Sequence, residues 1–403
     1  MQTPVIGRWV NPQMVVWARK QVGLNPQQAS EHVAQKVKKA KGVARTAFSA
    51  EDLLAWETGA KDPHIEHLEL LAEIYECPAG YFFLDTPPQQ TTPRLDFRGL
   101  APNKAERLTY ETYQSLRRFQ RLAEYAERLA RELELAFPVQ IAPASVATDV
   151  QAVVRRSLES LEVTQQLRAS WTTDAKAFES WRLAIERQGI LVFSLKLDPR
   201  DVRGASVAPG TGPPAILVNH ADVEAATGRT FTLVHEYAHL VVKHSGLVCD
   251  FRGQRESSDI ETFCNRFAAE AIVPRGRFRS LLRDKNLDRY RESWSDALLD
   301  KLREPFRASR DVVTILLQDL ELAPPEFYRR RREVWEKRRP FGRGGRGGGQ
   351  SLASRRLREL GSAFSKLLVK AERSGIISRL DVADLLDTNI QQADTFMALS
   401  QGV

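Results

Sequence analysis

The sequence predicts an α+β fold that is mostly α-helical. Apolar residues recur at helical spacing through most of the 403 residues. Only three short runs rich in β-branched residues, at 190–197, 203–208 and 215–219, indicate strands, and turn residues separate them. A chain of this length exceeds one ordinary hydrophobic core, so we expect two or three domains.

The composition argues against several classes of protein. A hydrophobic content of 42% and a charged content of 27% are typical of a soluble globular chain. No run of about 18 apolar residues is present, so we expect no membrane span. The first residues lack the pattern of a secretory signal, and we therefore expect a cytoplasmic protein. The three cysteines are scattered and form no CxxC pair, which argues against a disulfide framework or a thiolate zinc site.

Residues 1–88 form the first predicted domain, a bundle of short amphipathic helices. The first helix stops at Gly23, and Asn25 caps the second helix, which has a proline at its first position. Ser49 caps the third helix, which has an acidic first turn and ends at Gly59. A fourth helix follows, and then the segment TPPQQTTP, whose composition indicates a domain boundary.

The rest of the chain is predicted to contain a connector, a central domain and a C-terminal module. Residues 89–168 form a helical connector. Residues 169–340 contain the three strand patterns and several helices, and they form the central α+β domain. The glycine-rich segment 341–350 is a flexible linker. Residues 351–403 form a small helical module that could dock a partner.

The segment HEYAH, residues 235–239, is the clearest functional motif. His235 and His239 stand four residues apart, so on a helix both imidazoles leave the same face and can hold one tetrahedral ion. Glu236 is rotated by roughly 100° from His235, so it can reach a metal-bound water without binding the metal. The pattern is typical of a zinc hydrolase. It lies in an apolar helix, where unused polar side chains would be costly to bury.

A catalytic zinc needs a third protein ligand, and the helix after the motif offers Glu261 and Glu270. Asn265 stands four residues after Glu261 on the same face, where its amide can orient a ligand histidine. Glu270 has no such companion and lies near the end of the helix. We therefore favour Glu261 as the ligand, with Asn265 as its supporting residue. The alternative for Glu261 is a surface glutamate that interacts favourably with the helix dipole.

The segments FTLVHEYAHLVV and ETFCNRFAAEAIVP together resemble the ImmA/IrrE family of zinc metallopeptidases, whose pattern is HExxH followed by ExxANxFAxxLLxP. Cys264 stands where alanine is usual, and the residues that match are Glu261, Asn265, Phe267, Ala268 and Pro274. The resemblance covers roughly residues 170–280. It implies a minimal zincin-like domain in which Glu236 is the general base and Zn²⁺ is held by His235, His239 and Glu261.

The N-terminal segments WARKQVGLNPQQAS and LLAWETGAKDPHIEHLELLAEIYE are similar to the helix-turn-helix of Xre/Cro-type domains, which often precede this peptidase. The resemblance implies a regulator whose partner is a repressor or a small nuclease-like toxin. The helix in the recognition position carries Glu51, Asp52 and Glu57 and no Arg or Lys, which departs from a DNA-reading pattern. DNA binding and protein docking therefore both stay open for this domain.

Two basic segments are candidate contacts for nucleic acid or for an acidic partner. The formal net charge is +8, and residues 325–346 hold nine Arg/Lys against three Glu, so much of the excess charge lies there. The candidates in the two segments are Lys36, Lys38, Lys39, Arg329, Arg330, Arg331 and Arg332. The alternative is a solvated loop for the first segment and a charged helix end that runs into a linker for the second.

These patterns support two hypotheses of function. The first is a cytoplasmic zinc-dependent regulatory endopeptidase that cleaves or controls a repressor or toxin partner. The second is an antitoxin or transcription-regulator binding module of a toxin–antitoxin or mobile-element system, with little or no proteolysis. Glu236 favours the first hypothesis, because a purely structural metal site would not need it. The oligomeric state stays open.

Overall fold

The protein is described by a computed structural model, which is mostly helical and contains one small mixed sheet, so the predicted α+β class is confirmed. The described residues are 10–39, 46–88, 108–135, 141, 143–198, 202–208, 212–220, 226–242, 248–249, 259–338 and 351–402. Within these ranges, no helix combines the length and the apolar character that a membrane crossing requires. The chain divides into two compact units, Met1–Arg94 with Ala101–Arg117, and Leu95–Leu100 with Arg118–Val403.

The first unit is a bundle of short helices around a small apolar core. Leu53, Trp56, Leu71 and Phe82 are among the residues buried in this core. A final turn of 3₁₀ helix covers Ala79–Phe83. The α-helices are α1 (Pro12–Gln21), α2 (Pro26–Lys39), α3 (Ala50–Glu57) and α4 (Ile65–Tyr75).

The helix boundaries of this unit follow from their capping residues. The Asn25 side chain accepts the backbone N–H of Gln28 at 2.8 Å, as expected for the cap of α2. Ser49 and Asp52 form a capping box at the start of α3. Gly59 has φ +72°, a left-handed conformation that ends α3 at low cost because glycine has no Cβ. These boundaries agree with the sequence prediction.

The second unit contains the sheet and most of the remaining helices. The long helix α5 (Tyr110–Glu132) begins in the first unit and continues into the second. The others are α6 (Val150–Ser160), α7 (Gln165–Ala169), α8 (Asp174–Glu186), α9 (Ala226–Val241), α10 (Asp259–Ile272), α11 (Arg275–Asp284), α12 (Asp296–Arg303), α13 (Arg310–Asp319), α14 (Phe327–Arg338), α15 (Leu352–Arg373), α16 (Arg379–Leu385) and α17 (Ile390–Gln401).

The sheet has four strands in the order β1-β3-β2-β4, where β1 is Leu191–Leu195, β2 is Gly204–Val207, β3 is Ala215–Asn219 and β4 is Val248–Cys249. β1 pairs parallel with β3, while β2 pairs antiparallel with both β3 and β4. The first three strands lie where the sequence predicts them. The two-residue β4 is too short for a sequence pattern to reveal.

Helices cover both faces of the sheet, so the second unit has three layers. Val192, Ile216 and Val218 face α8 and α9 and belong to the largest apolar core. The alternate residues point to the opposite face. There the Phe193 ring makes edge contacts with Phe119 of α5 and Phe364 of α15. The sheet is therefore buried on both sides, and α9 packs against one of its faces.

The C-terminal helices pack against β1 through a buried polar contact. Arg182 of α8 donates to the carbonyls of Arg358 and Val192, at 2.6 and 2.5 Å. Glu186 accepts the N–H and the hydroxyl of Ser362, at 3.2 and 2.7 Å. Between these contacts α15 is interrupted at Gly361, which has φ +80°. The segment predicted to dock a partner thus packs on its own chain.

Candidate metal centre

Helix α9 carries both histidines of the HEYAH motif on one buried face. His235, Glu236 and His239 are all 0% exposed, although the helix is otherwise lined by apolar residues such as Leu233 and Val234. α9 packs between β2, β3 and the two helices α8 and α10. The four-residue spacing brings the Nε2 atoms of the two histidines to 3.1 Å from each other.

Glu261 of α10 completes a group of three metal-binding side chains. One carboxylate oxygen lies 3.4 Å from His235 Nε2, and the other lies 3.3 Å from His239 Nε2. Among the described residues, this is the group of His, Cys, Asp or Glu side chains whose ligand atoms converge, all within 4.8 Å. The Glu261 side chain is 31% exposed, so the group borders solvent on the α10 side.

The geometry of the three side chains fits a tetrahedral zinc ion. Zinc binds imidazole nitrogen and carboxylate oxygen at about 2.0–2.1 Å, which places two ligand atoms of a tetrahedron about 3.3–3.4 Å apart. The three separations in this group, 3.1, 3.3 and 3.4 Å, agree with that value. Two nitrogens and one carboxylate are also a donor set that zinc hydrolases use. His235, His239 and Glu261 can therefore hold Zn²⁺.

The ionisation of the group is coupled to metal binding. Burial disfavours the Glu261 carboxylate, but hydrogen bonds from the two histidines outweigh it and hold the pKa of Glu261 well below its usual range. Burial lowers the pKa of His235 against the opposing hydrogen bond to Glu261. Burial also disfavours protonated His239, yet the hydrogen bond to Glu261 and the charge of Glu236 raise its pKa. Metal binding requires neutral imidazoles, so protons compete with the metal for these ligands.

Residues 185–317 match Peptidase_M78, the IrrE N-terminal-like domain. The matched range contains β1 to β4, the metal-binding group, helices α9 to α12 and most of α13. A metallopeptidase-type domain at this position agrees with the resemblance found in the sequence. The match does not reach the N-terminal unit, so a helix-turn-helix there stays a prediction. No curated protein matches the chain.

Within the matched range 185–317, Gly204 of β2 makes room for Glu236. A Cβ atom at this position would lie 2.5 Å from Thr232 Cγ2, 2.9 Å from Glu236 Oε1 and 3.0 Å from the carbonyl oxygen of Leu217. Only glycine allows the strand to approach the motif helix this closely. Sequence reasoning missed Gly204, although a glycine inside a strand pattern is a known signal of close backbone approach.

The helix that carries Glu261 is held at its C-terminal end by a buried arginine. Arg168 donates to the carbonyls of Ala271 and Ile272, at 2.6 and 3.1 Å, and these carbonyls have no partner within the helix. Burial lowers the pKa of Arg168 to about 10. The guanidinium thus caps the C-terminal end of α10, although Arg168 lies about a hundred residues earlier in the sequence. A local sequence pattern cannot predict such a contact.

The second glutamate of α10, Glu270, lies outside the metal-binding group. Its two carboxylate oxygens accept the backbone N–H of Arg275, both at 3.3 Å, at the start of α11. The preference for Glu261 over Glu270 therefore agrees with the geometry. Asn265 is exposed on α10, and its side chain is close enough to His235 to oppose the lowering of the histidine pKa. Its supporting role stays a prediction.

Other polar residues near the motif have structural roles. Tyr237 is buried and donates its hydroxyl to Gln188 Oε1 at 3.2 Å. His220, at the end of β3, places Nδ1 3.2 Å from the carbonyl oxygen of Ser194. Cys264 is fully buried, and burial raises the pKa of its thiol. His244 lies outside the described residues.

The predicted basic contacts differ in how accessible they are. Arg331 forms an ion pair with Asp296, and Arg332 donates to the Tyr328 hydroxyl at 3.0 Å, so both are engaged within the second unit. Arg329 and Arg330 are exposed, and Arg329 pairs with Glu326 at 2.6 Å.

The lysines of α2 also differ in whether they have a partner on the chain. Lys36 pairs with Glu73 at 2.8 Å, and Lys38 is exposed. The side chain of Lys39 lies outside the described residues. Contacts of these residues and of the arginine run with a partner remain predictions.

Two of the three acidic residues on α3 serve the fold of the first unit. Glu57 binds the Arg19 guanidinium with both oxygens, at 2.6 and 2.7 Å, and is nearly buried. Asp52 caps the helix and pairs with Lys61 at 2.7 Å. Glu51 and Leu54 are the residues that α3 exposes most. The exposed surface of α3 is therefore acidic and apolar, without a cation for phosphate or bases.

Proposed function

We propose that this protein is a cytoplasmic zinc-dependent regulatory endopeptidase that cleaves or controls a repressor or a small nuclease-like toxin. The observation that carries the proposal is the convergence of His235, His239 and Glu261 at zinc-ligand distances. The buried carboxylate of Glu236 on the same helix adds the general base that hydrolysis needs. The match to the IrrE N-terminal-like domain covers these residues and supports a metallopeptidase function.

The proposed mechanism divides the work between ligands and base. Bound Zn²⁺ would supply Lewis acidity, which polarises a scissile carbonyl and acidifies a water molecule. Glu236 would accept the proton of the attacking water and return it to the leaving amine. Gly204 keeps β2 from displacing the Glu236 carboxylate. Arg168 would keep α10, and with it Glu261, in register with the two histidines.

The burial of Glu236 bears on regulation. The side chain is 0% exposed, so we expect the surroundings of the motif to rearrange before a peptide bond reaches it. A peptidase that acts on a regulator should be inactive at rest, and a closed general base meets that requirement. We expect activity to depend on a partner or signal that opens the site.

The same burial favours a second candidate function. A metal site with an inaccessible base can serve a binding module, such as an antitoxin or transcription regulator, with little or no proteolysis. The acidic and apolar surface of α3 would then dock a protein instead of reading DNA. The two functions differ in whether Glu236 is needed.

The test compares wild type with Glu236→Gln. Both purified proteins are analysed for zinc per chain and then incubated with the product of the neighbouring gene, with fragments followed by mass spectrometry. We expect about one zinc per chain in both proteins, because Glu236 is not a ligand, and cleavage by wild type alone. Glu270→Gln is the matched control, since it removes a carboxylate that lies outside the group.

The possible outcomes separate the two candidates. Stoichiometric zinc with tight binding and no cleavage by either protein would favour the binding module. Absence of zinc from the wild-type protein, even after incubation with the metal, would refute both the metal site and the peptidase.

A further inference from the structure

A basic groove lies in the C-terminal helical module, within the second unit. Helices α15 and α17 pack against each other and leave a groove of about 460 Å³ near their C-terminal ends. Three cations line it, Lys366, Lys370 and Arg373. Ser374 and Gln401 add a hydroxyl and an amide, and no acidic residue contributes to the lining.

The three cations have no anionic partner within the described part of the chain. They are exposed and stand at positions i, i+4 and i+7 of α15, so they share one face of the helix. The nearby Glu372 instead pairs with Arg379 at 2.8 Å. Like charges at such spacing repel and destabilise a helix slightly. An anion that binds between the charges would relieve this repulsion.

The helix dipoles account for only part of this positive charge. The C-terminal ends of α15 and α17 each carry the equivalent of about half a negative charge. Together they offset roughly one of the three cations, so the groove keeps a net charge of about +2. A cation at the end of a helix is therefore not a sufficient explanation for all three side chains.

We propose that this groove binds a small polyanion through its phosphate groups. The volume lies in the range of small-molecule sites. Ammonium, guanidinium, hydroxyl and amide donors surround it, and such groups bind phosphate through charge-assisted hydrogen bonds. Val369 supplies the apolar part of the lining, and no aromatic ring contributes a stacking surface for a base. The groove therefore recognises the phosphate chain, whether free or attached to a nucleoside. This site is independent of the proposed peptidase.

The experiment is calorimetric titration of the full chain with inorganic tripolyphosphate, with ATP as a second probe. Wild type is compared with Lys366→Gln/Lys370→Gln, which removes two charges and keeps side chains of similar length. The control is Lys176→Gln/Lys301→Gln, which removes two exposed lysines elsewhere. Circular dichroism verifies that the variants fold. The control keeps the metal-binding group, so chelation of zinc by polyphosphate would appear equally in both variants.

We expect binding of one tripolyphosphate per chain to wild type and to the control. The groove variant should bind at least about tenfold more weakly, as expected for the loss of two charge-assisted contacts. ATP should bind within about threefold of tripolyphosphate. An equal loss of affinity in the control and in the groove variant would overturn the proposal, because binding would then follow net charge alone. Preference for ATP by more than about tenfold would also overturn it, since a base would then be recognised.

Discussion

Gly361 is the position where one added methyl group should damage the docking of the C-terminal helices most. Its backbone has φ +80° and ψ 166°, a combination that is nearly confined to glycine. A Cβ atom there would lie 2.7 Å from both Arg182 Nη2 and the carbonyl oxygen of Val192, and it would also collide with Glu186. Gly361→Ala therefore combines backbone strain with a collision in a buried polar cluster.

The loss in the free energy of unfolding is the sum of these two contributions. The strained backbone costs about 1–3 kcal/mol. Forcing extra volume into a packed interior costs about 1–3 kcal/mol more. Arg182 and Glu186 form an ion pair at 3.4 Å, and this pair cannot move into water, because the two side chains are only 4% and 3% exposed. We expect Gly361→Ala to lower the free energy of unfolding by about 2–6 kcal/mol.

Gly375→Ala is the matched control for this prediction. Gly375 also has a positive φ, +70°, but an added Cβ would meet nothing within 4 Å. The control should therefore lose only the strain contribution, about 1–2 kcal/mol. Urea unfolding followed by circular dichroism measures both variants. If the two free energies of unfolding agree within about 0.5 kcal/mol, the collision with the buried pair has no energetic effect and the reasoning is refuted.

Three further predictions concern the metal centre and one surface network. Gly204→Ala should destabilise the protein by about 1–3 kcal/mol. Thr232→Ser should recover part of this loss in the double variant, because it removes the nearest methyl group. If urea unfolding shows that the losses of the two single variants simply add in the double variant, the close approach of β2 to α9 is contradicted. Glu261→Gln should weaken zinc binding at least about 100-fold in competition with a chelator, whereas Glu270→Gln should leave it unchanged. The hydrogen bond from Arg310 lowers the pKa of Asp300 to about 2 from 3.8, so Asp300 stabilises the folded state above its ordinary pKa and this contribution disappears as the pH falls toward 2. The difference in stability between wild type and Asp300→Asn should therefore shrink between about pH 5 and pH 2, and a constant difference would refute the assignment.

Local signals in the sequence predicted the elements of the fold well. Asn25 and Ser49 cap helices by contacts that span only three residues, so their effect is visible in a short window. The three main strands were evident from β-branched runs. His235 and His239 were predicted to share one helix face, and their side chains do so. In each case the structure depends on residues that are close in sequence.

Long-range packing was not predictable from the same signals. Arg182 and Arg358 are 176 positions apart, and helical periodicity does not reveal which surface an amphipathic helix will meet. For this reason the sequence indicated only a C-terminal module that could dock a partner, and its packing against β1 was not predicted. Gly361 was a local clue, because a glycine inside a strong helical pattern often has a packing reason. Gly204 was a similar clue inside a strand.

The contacts along β1 also bear on whether the protein stays dispersed. Among the described strands, β1 has a neighbour on one side only. Such an edge can recruit strands of other molecules and start aggregation. Here the Arg182 guanidinium occupies the Val192 carbonyl, and the His220 ring lies against the Ser194 carbonyl. Side chains thus contact two of the carbonyl oxygens to which a foreign strand would bind. Within the described residues this edge is therefore shielded by side chains of α8 and of the residue after β3, and a further strand is not required.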